Sequence, residues 1–468
     1  MELKNIHTFY FLGIGGIGMS ALARYFNAAG NKIYGYDKTA TKLTDELISE
    51  DIDIHFESDV KFISNHFDSQ KRSEILIVYT PAVPKDFAEL IYFKEHNFEL
   101  VKRSELLGLI TKNAFTIAVA GTHGKTTTSS LIAHILKTAN IDCTAFLGGI
   151  TQNYNTNLLL SSSLKTENKS TSKEAIVVVE ADEYDRSFLT LHPNVAVITS
   201  VDADHLDIYG DVKEMEESYA LFANQINAEG VLITKKNVQE KIQYANAVLT
   251  YSVNDKTDYY TKNLSLEKGF YSYDVVCQNQ TIENITLGIH GKHNVENSIA
   301  AVAAARQLKI SDVDIKKALS TFKGVKRRFE YIIQTEKLIF IDDYAHHPEE
   351  LKACINSVKA IYPDKKITGV FQPHLYSRTR DFAEEFAKSL SLLDEVILLE
   401  IYPARELPME GVTSKMLLDK INVLQKNIFS KAELVNEIEK RKPEVLLTLG
   451  AGDIDMLIEP IKKRLLKN

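Results

Sequence analysis

Short, nearly continuous apolar runs recur along this chain, and helical spacings of apolar residues separate them. Three of these runs, at residues 7–12, 115–120 and 338–343, each lead at once into a loop rich in glycine, histidine or acidic residues. Apolar runs of this kind are typical of strands that helices cover on both faces. The alternation of such strands with helices predicts an α/β protein built on parallel sheets.

The remaining pattern divides the chain into three α/β blocks. We place the domains at residues 1–112, 113–328 and 329–468, since 468 residues at roughly 150 per domain allow three. Residues 251–291 alternate Tyr, Thr and Val with polar residues, which predicts a small antiparallel part of the middle domain. The other predicted elements are strands at 32–37, 74–83, 175–182, 195–204, 366–371, 395–402 and 444–450, helices at 19–29, 129–139 and 293–308, and a polar surface loop at 161–174.

Composition narrows the class of protein without naming a reaction. The 63 acidic residues exceed the 55 Lys and Arg, for a net charge of -8, which argues against a dedicated nucleic-acid binder. The chain shows no signal-peptide order and no unbroken run of about 18 apolar residues. The three scattered cysteines, which we expect to be buried, suit a reducing compartment. We expect a cytoplasmic enzyme for small molecules, a monomer or homodimer, with no membrane or nucleic-acid partner.

The first glycine loop has the spacing G-x-G-x-x-G. It follows the strand at 7–12, precedes a helix, and has Asp37 at the end of the next strand, 19 positions after Gly18. This is the fingerprint of a Rossmann-like domain that binds a diphosphate through backbone N–H groups and a helix N-terminus. NAD and a UDP-sugar both satisfy it, so an NAD-dependent oxidoreductase stays open at this point. The candidate loop residues are Gly13, Gly15, Gly16, Ile17 and Gly18.

The second glycine loop predicts a P-loop ATPase domain in the middle of the chain. Its G-K-T core places a backbone nest and an ammonium on phosphates, and a threonine hydroxyl on Mg²⁺. The pattern is not the strict one, because position 119 is Val rather than Gly. Strand before and helix after still indicate ATP as substrate. The candidate ATP-binding residues are Gly121, Thr122, His123, Gly124, Lys125, Thr126 and Thr127.

Two acidic clusters follow strands of the same domain, at residues 180–185 and 202–207. Ligands of open parallel sheets bind beyond the carboxyl ends of strands. Both clusters should therefore face the second glycine loop, residues 121–127, which we call the phosphate loop. Oxygen donors suit Mg²⁺, which makes Glu180 and Thr126 candidate metal ligands. His205 is a further candidate, with a loop-capping imidazole as the alternative. The other acids could equally cap turns.

Taken together, the motifs resemble those of the Mur ligases over essentially the whole chain. They are GIGGIGMSALA, GTHGKTTT, EADEYDRSFL, DADHLD, HNVENSIAA, RRFE, DDYAHHPEE and FQPHLYSRTRDF, in that order. The resemblance implies a Rossmann-like UDP-sugar domain, a central P-loop ATPase domain and a C-terminal Rossmann-like amino-acid domain. It also makes UDP, rather than NAD, the ligand of the first loop.

The resemblance implies an ATP-dependent amide ligase of peptidoglycan precursor synthesis. ATP, with Mg²⁺, would phosphorylate the lactyl carboxylate of UDP-N-acetylmuramate, and the amine of L-alanine would attack the acyl phosphate. A family member that attaches a recycled tripeptide to the same sugar is the nearest alternative. A non-catalytic nucleotide sensor is disfavoured because Lys125, Glu180 and Arg328 are all present.

The family motifs also imply roles for residues that local pattern leaves undecided. Lys125, Glu180, His205, Arg328 and His346 would be catalytic, with Glu180, His205 and Thr126 on the metal. Arg328, which could otherwise be a surface charge, would reach the transferring phosphate. The remaining implied contacts are Asp37 and Thr80 for the UDP-sugar, Asn294, Asn297 and Asp343 for adenosine, and Tyr344, His346, His347, Arg378 and Arg380 for the amino acid. Some relatives carry Arg where this chain has Leu375.

Overall fold

The computed structural model describes residues 3–67, 70–165, 175–204, 206–244, 246–278, 280–404 and 406–467. Its contacts divide the chain into two compact units. The first unit contains the chain up to Thr261 together with Val275–Ile282 and Asn297–Leu319. The second contains Lys262–Asp274, Glu283–Glu296 and the chain from Ser320 onward. The backbone therefore passes from one unit to the other five times.

The strands and helices alternate along most of the chain. The strands are β1 (Thr8–Leu12), β2 (Lys32–Tyr36), β3 (Asp53–His55), β4 (Ile75–Tyr79), β5 (Glu99–Lys102), β6 (Phe115–Ala120), β7 (Cys143–Thr151), β8 (Thr156–Leu159), β9 (Ile176–Glu180), β10 (Val195–Ile198), β11 (Val231–Thr234), β12 (Val248–Ser252), β13 (Tyr259–Glu267), β14 (Phe270–Cys277), β15 (Gln280–Thr286), β16 (Glu330–Gln334), β17 (Ile339–Asp343), β18 (Ile367–Phe371), β19 (Glu395–Leu398), β20 (Gln425–Ile428) and β21 (Val445–Leu449). The helices are α1 (Ile17–Ala28), α2 (Lys42–Ser49), α3 (Val60–Phe67), α4 (Ala88–Glu95), α5 (Arg103–Thr111), α6 (Lys125–Thr138), α7 (Leu206–Tyr209), α8 (Val212–Ala223), α9 (Lys236–Ile242), α10 (Lys292–Gln307), α11 (Asp312–Thr321), α12 (Pro348–Ile361), α13 (Tyr376–Asp381), α14 (Ala383–Leu390), α15 (Ser414–Lys420), α16 (Lys431–Arg441) and α17 (Ile458–Leu465).

The first sheet has five parallel strands in the order β3-β2-β1-β4-β5. Because β2 and β4 lie on opposite sides of β1, the chain reverses its winding direction there, and ligands of open α/β sheets bind at such a point. Every residue of β1 is buried, as a central strand covered by helices on both faces requires. The loop that follows β1 is the first glycine loop.

The second sheet has ten strands in the order β15-β14-β13-β12-β11-β10-β6-β9-β7-β8. Strand β6 pairs in parallel with both β10 and β9, so the phosphate loop after β6 also follows a central strand. Strands β7 and β8 are antiparallel. Only two residues join β13 to β14, which is too few for a parallel crossover and makes this pair an antiparallel hairpin.

The third sheet belongs to the second unit and has the order β16-β17-β21-β18-β19-β20. Strand β16 is antiparallel to β17, and the other pairs are parallel. Apolar side chains of both sheet faces are buried, in one cluster around Phe371 and Phe386 and another around Phe340 and Ile438. No helix in the described part of the chain has the length and apolar character needed to span a membrane.

These sheets confirm the predicted α/β class with its antiparallel part, but the predicted bounds need correction. The strands predicted at 74–83 and 195–204 end at Tyr79 and Ile198. Beyond Ile198 the apolar pattern continues because that loop is itself packed, with Val201 buried, whereas beyond Tyr79 the apolar residues Pro81 and Ala82 are exposed. The helix predicted at 129–139 begins at Lys125, because the polar residues of its first turn resemble a loop. Of the loop predicted at 161–174, residues 166–174 lie outside the described residues. All three cysteines are buried, as expected.

Candidate active site

The first glycine loop folds tightly around its own backbone. Gly13 has φ +85°, and its amide donates to the carbonyl of Tyr36 at 2.8 Å. The amide of Gly15 donates to Oδ2 of Asp37 at 2.8 Å. A Cβ on Gly13 would lie 3.0 Å from Cγ2 of Thr80. The structure thus brings Asp37 and Thr80 against the loop, as the sequence suggested, although the carboxylate of Asp37 contacts a loop amide here.

The rest of this loop opens helix α1. Gly16 is its N-cap residue, with an extended φ of -67°, and Ile17 is its first residue. A Cβ on Gly16 would meet nothing closer than 3.5 Å, whereas a Cβ on Gly18 would lie 2.8 Å from Nη1 of Arg103. A Cβ therefore fits at Gly16, whereas at Gly18 it would require the side chain of Arg103 to move.

The phosphate loop is held against the end of β10. Gly121 has φ +125°, and a Cβ there would overlap the hydroxyl of Thr199. The hydroxyl of Thr122 donates to the carbonyl of Asp202 at 3.0 Å and accepts from its amide at 2.9 Å. The amide of His123 donates to Oγ of Ser200 at 3.0 Å. The loop conformation is therefore fixed by residues that follow β10.

Lys125 begins helix α6 and lies inside the loop. Its ammonium donates to the carbonyls of Gly121 at 2.6 Å and Thr122 at 3.2 Å, and to Oε1 of Glu183 at 2.8 Å. Burial lowers the pKa of Lys125, but the carboxylates of Glu183 and Glu180 outweigh burial and leave that pKa above its ordinary value. The lysine is thus a permanently charged group at the point where phosphates bind in loops of this type.

Glu183 is the acidic partner that sequence reasoning did not single out. It is 4% exposed, and burial raises the pKa of its carboxyl from 4.5 to about 7, with the charge of Lys125 offsetting part of that rise. Its backbone carbonyl accepts from the hydroxyl of Tyr209. The only signal in the sequence was its place among the acids of residues 180–185.

The oxygen donors beside the phosphate loop fit Mg²⁺. Thr126 is buried in the first turn of α6, and Glu180 ends β9, where its Oε2 accepts from the amide of Gly148 at 3.1 Å. A hydroxyl and a carboxylate are donors that this hard cation prefers. His205 lies outside the described residues. Among the residues that are described, no group of three or more His, Cys, Asp or Glu side chains is arranged to hold a metal.

The two predicted adenosine-binding asparagines lie on helix α10. Asn297 belongs to the first unit, where a Cβ on Gly124 would be 2.5 Å from its Oδ1, so it packs against the phosphate loop. Asn294 belongs to the second unit. It is buried, and its Nδ2 donates to the carbonyl of His290 at 2.6 Å.

In the second unit, two arginines and an aspartate surround the start of the third sheet. The guanidinium groups of Arg327 and Arg328 lie 5.1 and 4.9 Å from the ring centre of Tyr344. Asp343 accepts from the amides of Phe329 at 2.7 Å and Ala345 at 2.8 Å. Burial raises the pKa of Asp343 to about 6, although the charge of Arg328 opposes the rise. The predicted ribose contact is thus already bonded to two main-chain amides.

The predicted amino-acid residues follow β17 and β18, but they do not all gather. Nδ1 of His346 lies 3.0 Å from the carbonyl of Tyr344, and its ring is 6.1 Å from that of His374. Arg378 is buried, with Nη1 3.4 Å from Nδ1 of His374. Arg380 is exposed and donates to Asp381 at 2.7 Å.

His347 serves as the N-cap of α12, where its Nδ1 accepts from the amide of Glu349 at 3.4 Å. His374, which links His346 to Arg378, was not among the predicted residues, although it lies within the quoted motif FQPHLYSRTRDF. Its ring stacks on Tyr402 at 5.6 Å. Between these groups Leu375 is buried and has φ +70°, a conformation that a non-glycine residue adopts only at a cost.

Three family models match successive parts of this chain. Residues 8–115 match the model described as Mur ligase family, catalytic domain, residues 119–305 the Mur ligase middle domain, and residues 327–453 the Mur ligase, glutamate ligase domain. A UDP-N-acetylmuramate–L-alanine ligase of Parabacteroides distasonis is 48% identical over 100% of this chain and 99% of its own length. One from Flavobacterium johnsoniae is 47% identical over the full length of both.

Solved structures are similar over nearly the same extent. A UDP-N-acetylmuramate–alanine ligase from Thermotoga maritima has a TM-score of 0.80 and 27% identity, and the match covers 98% of this chain and 99% of that one. A murein peptide ligase from Psychrobacter arcticus has a TM-score of 0.75 at 22% identity over 98% of both chains, which is a likeness of fold alone.

Proposed function

Because the chain belongs to the Mur ligase family, we propose that it joins L-alanine to the lactyl carboxylate of UDP-N-acetylmuramate at the expense of ATP, and so serves peptidoglycan precursor synthesis. It is an ATP-dependent amide ligase. The observation that carries the proposal is the buried ammonium of Lys125 within a glycine loop that follows a central strand. An NAD-dependent oxidoreductase would have no use for that loop, which disfavours the alternative that the first loop alone left open.

The chemistry requires activation of a carboxylate. Its oxygen attacks the γ-phosphorus of ATP, the bond to ADP breaks, and an acyl phosphate forms. The amine of L-alanine then attacks the acyl carbon, and the tetrahedral intermediate collapses to an amide and inorganic phosphate. Two anions must approach each other in the first step, so positioning and positive charge supply most of the catalysis.

The first unit supplies the groups that hold phosphates. Residues 13–18 hold the diphosphate of the UDP-sugar, and the amides of Ile17 and Gly18 at the N-terminus of α1 donate to it. Lys125 binds the β- and γ-phosphates, and Glu183 gives up its ion pair with Lys125 when they arrive. Thr126 and Glu180, with His205 from the family motif, would hold Mg²⁺. That ion would supply charge neutralisation between the two anions.

The residues of the second unit are proposed for the nucleotide and the amino acid. Arg328 contacts the phosphoryl group that is transferred, and Asp343 contacts ribose. Asn294 contacts adenine, together with Asn297, which belongs to the first unit. Tyr344, His346, His347, Arg378 and Arg380 form the proposed amino-acid set. Within it Arg378 binds the carboxylate of alanine, because a guanidinium can pair with both of its oxygens, and His346 accepts a proton from the amine.

The proposal divides the tasks among residues 1–112 for the UDP-sugar, 113–328 for ATP and 329–468 for the amino acid. It places the reaction in the cytoplasm, where ATP is available, in a monomer or homodimer. The supporting relatives carry the name of this activity and match at full length.

The test is release of inorganic phosphate by the purified protein. We expect turnover only when ATP, UDP-N-acetylmuramate and L-alanine are all present, with the amide product seen by mass spectrometry. Glycine and L-serine at equal concentration measure selectivity for the side chain. Equal or faster turnover with the tripeptide L-Ala-γ-D-Glu-meso-diaminopimelate would contradict the proposal and favour the recycling ligase.

A further inference from the structure

One arginine lies between the two nucleotide loops of the first unit. Arg103 is the first residue of α5, directly after β5. Its stem and guanidinium pack on Gly18, where a Cβ would lie 3.1 Å from its Cδ and 2.8 Å from its Nη1. The arginine therefore packs closely on the last glycine of the first loop, and a cation stands next to the loop that is proposed to bind a diphosphate.

The same guanidinium reaches the acidic cluster after β9. Nη2 of Arg103 donates to Oδ2 of Asp182 at 2.8 Å, and Oδ1 of Asp182 accepts from the amide of Tyr184 at 3.1 Å. The next residue, Glu183, pairs with Lys125 of the phosphate loop at 2.8 Å. A continuous series of contacts thus connects Gly18 with Lys125 through Arg103, Asp182 and the backbone of residue 183.

A neighbouring ion pair joins the same two segments. Lys102 donates to Oδ2 of Asp185 at 2.9 Å, and both side chains are more than a third exposed. Arg103 is 19% exposed, and its partner Asp182 is 40% exposed. Pairs with this exposure contribute little to the free energy of folding. Both pairs join the same two segments, and Arg103 in addition packs on Gly18 of the first loop.

We propose that Arg103 is a positioning residue that couples binding of the UDP-sugar to binding of ATP. A diphosphate at residues 13–18 competes with Asp182 for the guanidinium. Release of Asp182 shifts the adjoining Glu183 away from Lys125, and the ammonium then accepts the phosphates of ATP. Each substrate thereby strengthens binding of the other, because linkage of two binding sites is reciprocal. This inference rests on the proposed function, since it takes a UDP-sugar as ligand of the first loop.

The experiment measures the dissociation constant of UDP-N-acetylmuramate by calorimetry, with and without a saturating non-hydrolysable ATP analogue. We expect the analogue to tighten sugar binding by about fivefold or more in the wild type, the lower end of usual couplings. Arg103→Lys and Asp182→Asn should each reduce the ratio to below about twofold. Lys102→Met should keep the wild-type ratio, and kcat and both KM values are recorded for all variants.

Melting temperatures establish that the variants are folded, and Asp182→Asn alone carries the test if Arg103→Lys does not fold. A wild-type ratio of about one overturns the coupling, and so does a fivefold ratio that survives in both variants or is lost equally in Lys102→Met. Failure of the wild type to bind UDP-N-acetylmuramate at all would instead overturn the proposed function, and the coupling with it.

Discussion

The two glycine loops of the first unit have the same place in the fold but different polar contacts. Each follows a central parallel strand and leads into a helix. In the first loop a carboxylate, that of Asp37, accepts from a loop amide. In the second a carboxylate, that of Glu183, pairs with an ammonium that the loop itself carries. A loop that only holds a phosphate needs amides alone, whereas one that transfers a phosphoryl group needs a charge and a place to store that charge when no phosphate is bound.

The largest effect is expected when a substitution removes the charge of Lys125 from the second loop. Lys125→Ala should lower kcat by about 1,000-fold, since a buried donor to developing phosphoryl charge is lost. Phosphate release is the assay. Lys137→Ala, at the other end of α6, is the matched control and should retain activity, because Lys137 lies away from the second loop and donates to the carbonyl of Leu160. If Lys125→Ala retained more than a tenth of the activity, the second loop would not need its charge, and the proposed difference between the two loops would be wrong.

The next effect is the dependence of the free energy of unfolding on pH that Glu183 should cause. The pKa of Glu183 is raised by burial from 4.5 to about 7, so between these values the folded chain holds a proton that the unfolded chain releases. The free energy of unfolding should therefore fall as pH rises from 5 to 8, by up to roughly 3 kcal/mol, and Glu183→Gln should abolish this component. Urea unfolding at both pH values measures it.

Asp142 is the control for that experiment. Burial would raise its pKa, but hydrogen bonds from Ser161 and Ser162 outweigh burial and lower it to about 2. Its contribution to stability is therefore present throughout pH 5–8, and Asp142→Asn should change the free energy of unfolding equally at both ends of that range. A wild type whose pH dependence equals that of Glu183→Gln would show that Glu183 stays ionised beside Lys125.

A smaller effect is expected at Gly16 in the first loop, where a substitution should weaken binding without changing stability. Gly16 has an ordinary φ of -67° and room for a Cβ, so Gly16→Ala should leave the melting temperature unchanged. A methyl group there would still keep a diphosphate from the loop amides, and we expect the KM for the UDP-sugar to rise about tenfold. The KM for ATP is the internal control. An unchanged KM for the UDP-sugar would show that the diphosphate binds elsewhere.

The smallest effect is expected at Asp37. Asparagine retains an oxygen that can accept from the amide of Gly15 and removes a negative charge near a bound diphosphate. Asp37→Asn should therefore leave the KM for the UDP-sugar the same or lower it, by no more than about threefold because Asp37 is only partly buried and its charge is partly screened by solvent. A large increase in this KM would assign the carboxylate a direct contact with the sugar nucleotide.

The parts of the site that are contiguous in sequence could be predicted, and the parts that the sheet order brings together could not. The spacing of Gly13 to Gly18 and the G-K-T core suffice to locate both loops. The pairing of Lys125 with Glu183, 58 positions away, depends on β9 lying beside β6, and strand order leaves no local trace. The same holds for Arg103, whose partner Asp182 is 79 positions away.

In the second unit the sequence motif did not show which way its side chains point. Arg378 and Arg380 are two positions apart on a short helix, so one is buried toward His374 and the other faces solvent. His347 directly precedes α12, and its imidazole caps that helix. Residue type alone could not distinguish these roles, because the imidazole and guanidinium groups suit either a ligand or the protein's own backbone and carboxylates.

The five passages of the backbone between the two units affect how the chain can be made. The first unit includes Val275–Ile282 and Asn297–Leu319, whose residues Val275 and Ala300 are fully buried. A ribosome that has released only the first 261 residues has delivered both glycine loops but not the pieces that complete their unit. Folding of that unit must wait for more than fifty further residues to emerge. The interleaved chain thus delays completion of the unit that holds both glycine loops until residues 262–274 and 283–296 of the second unit have also been synthesised.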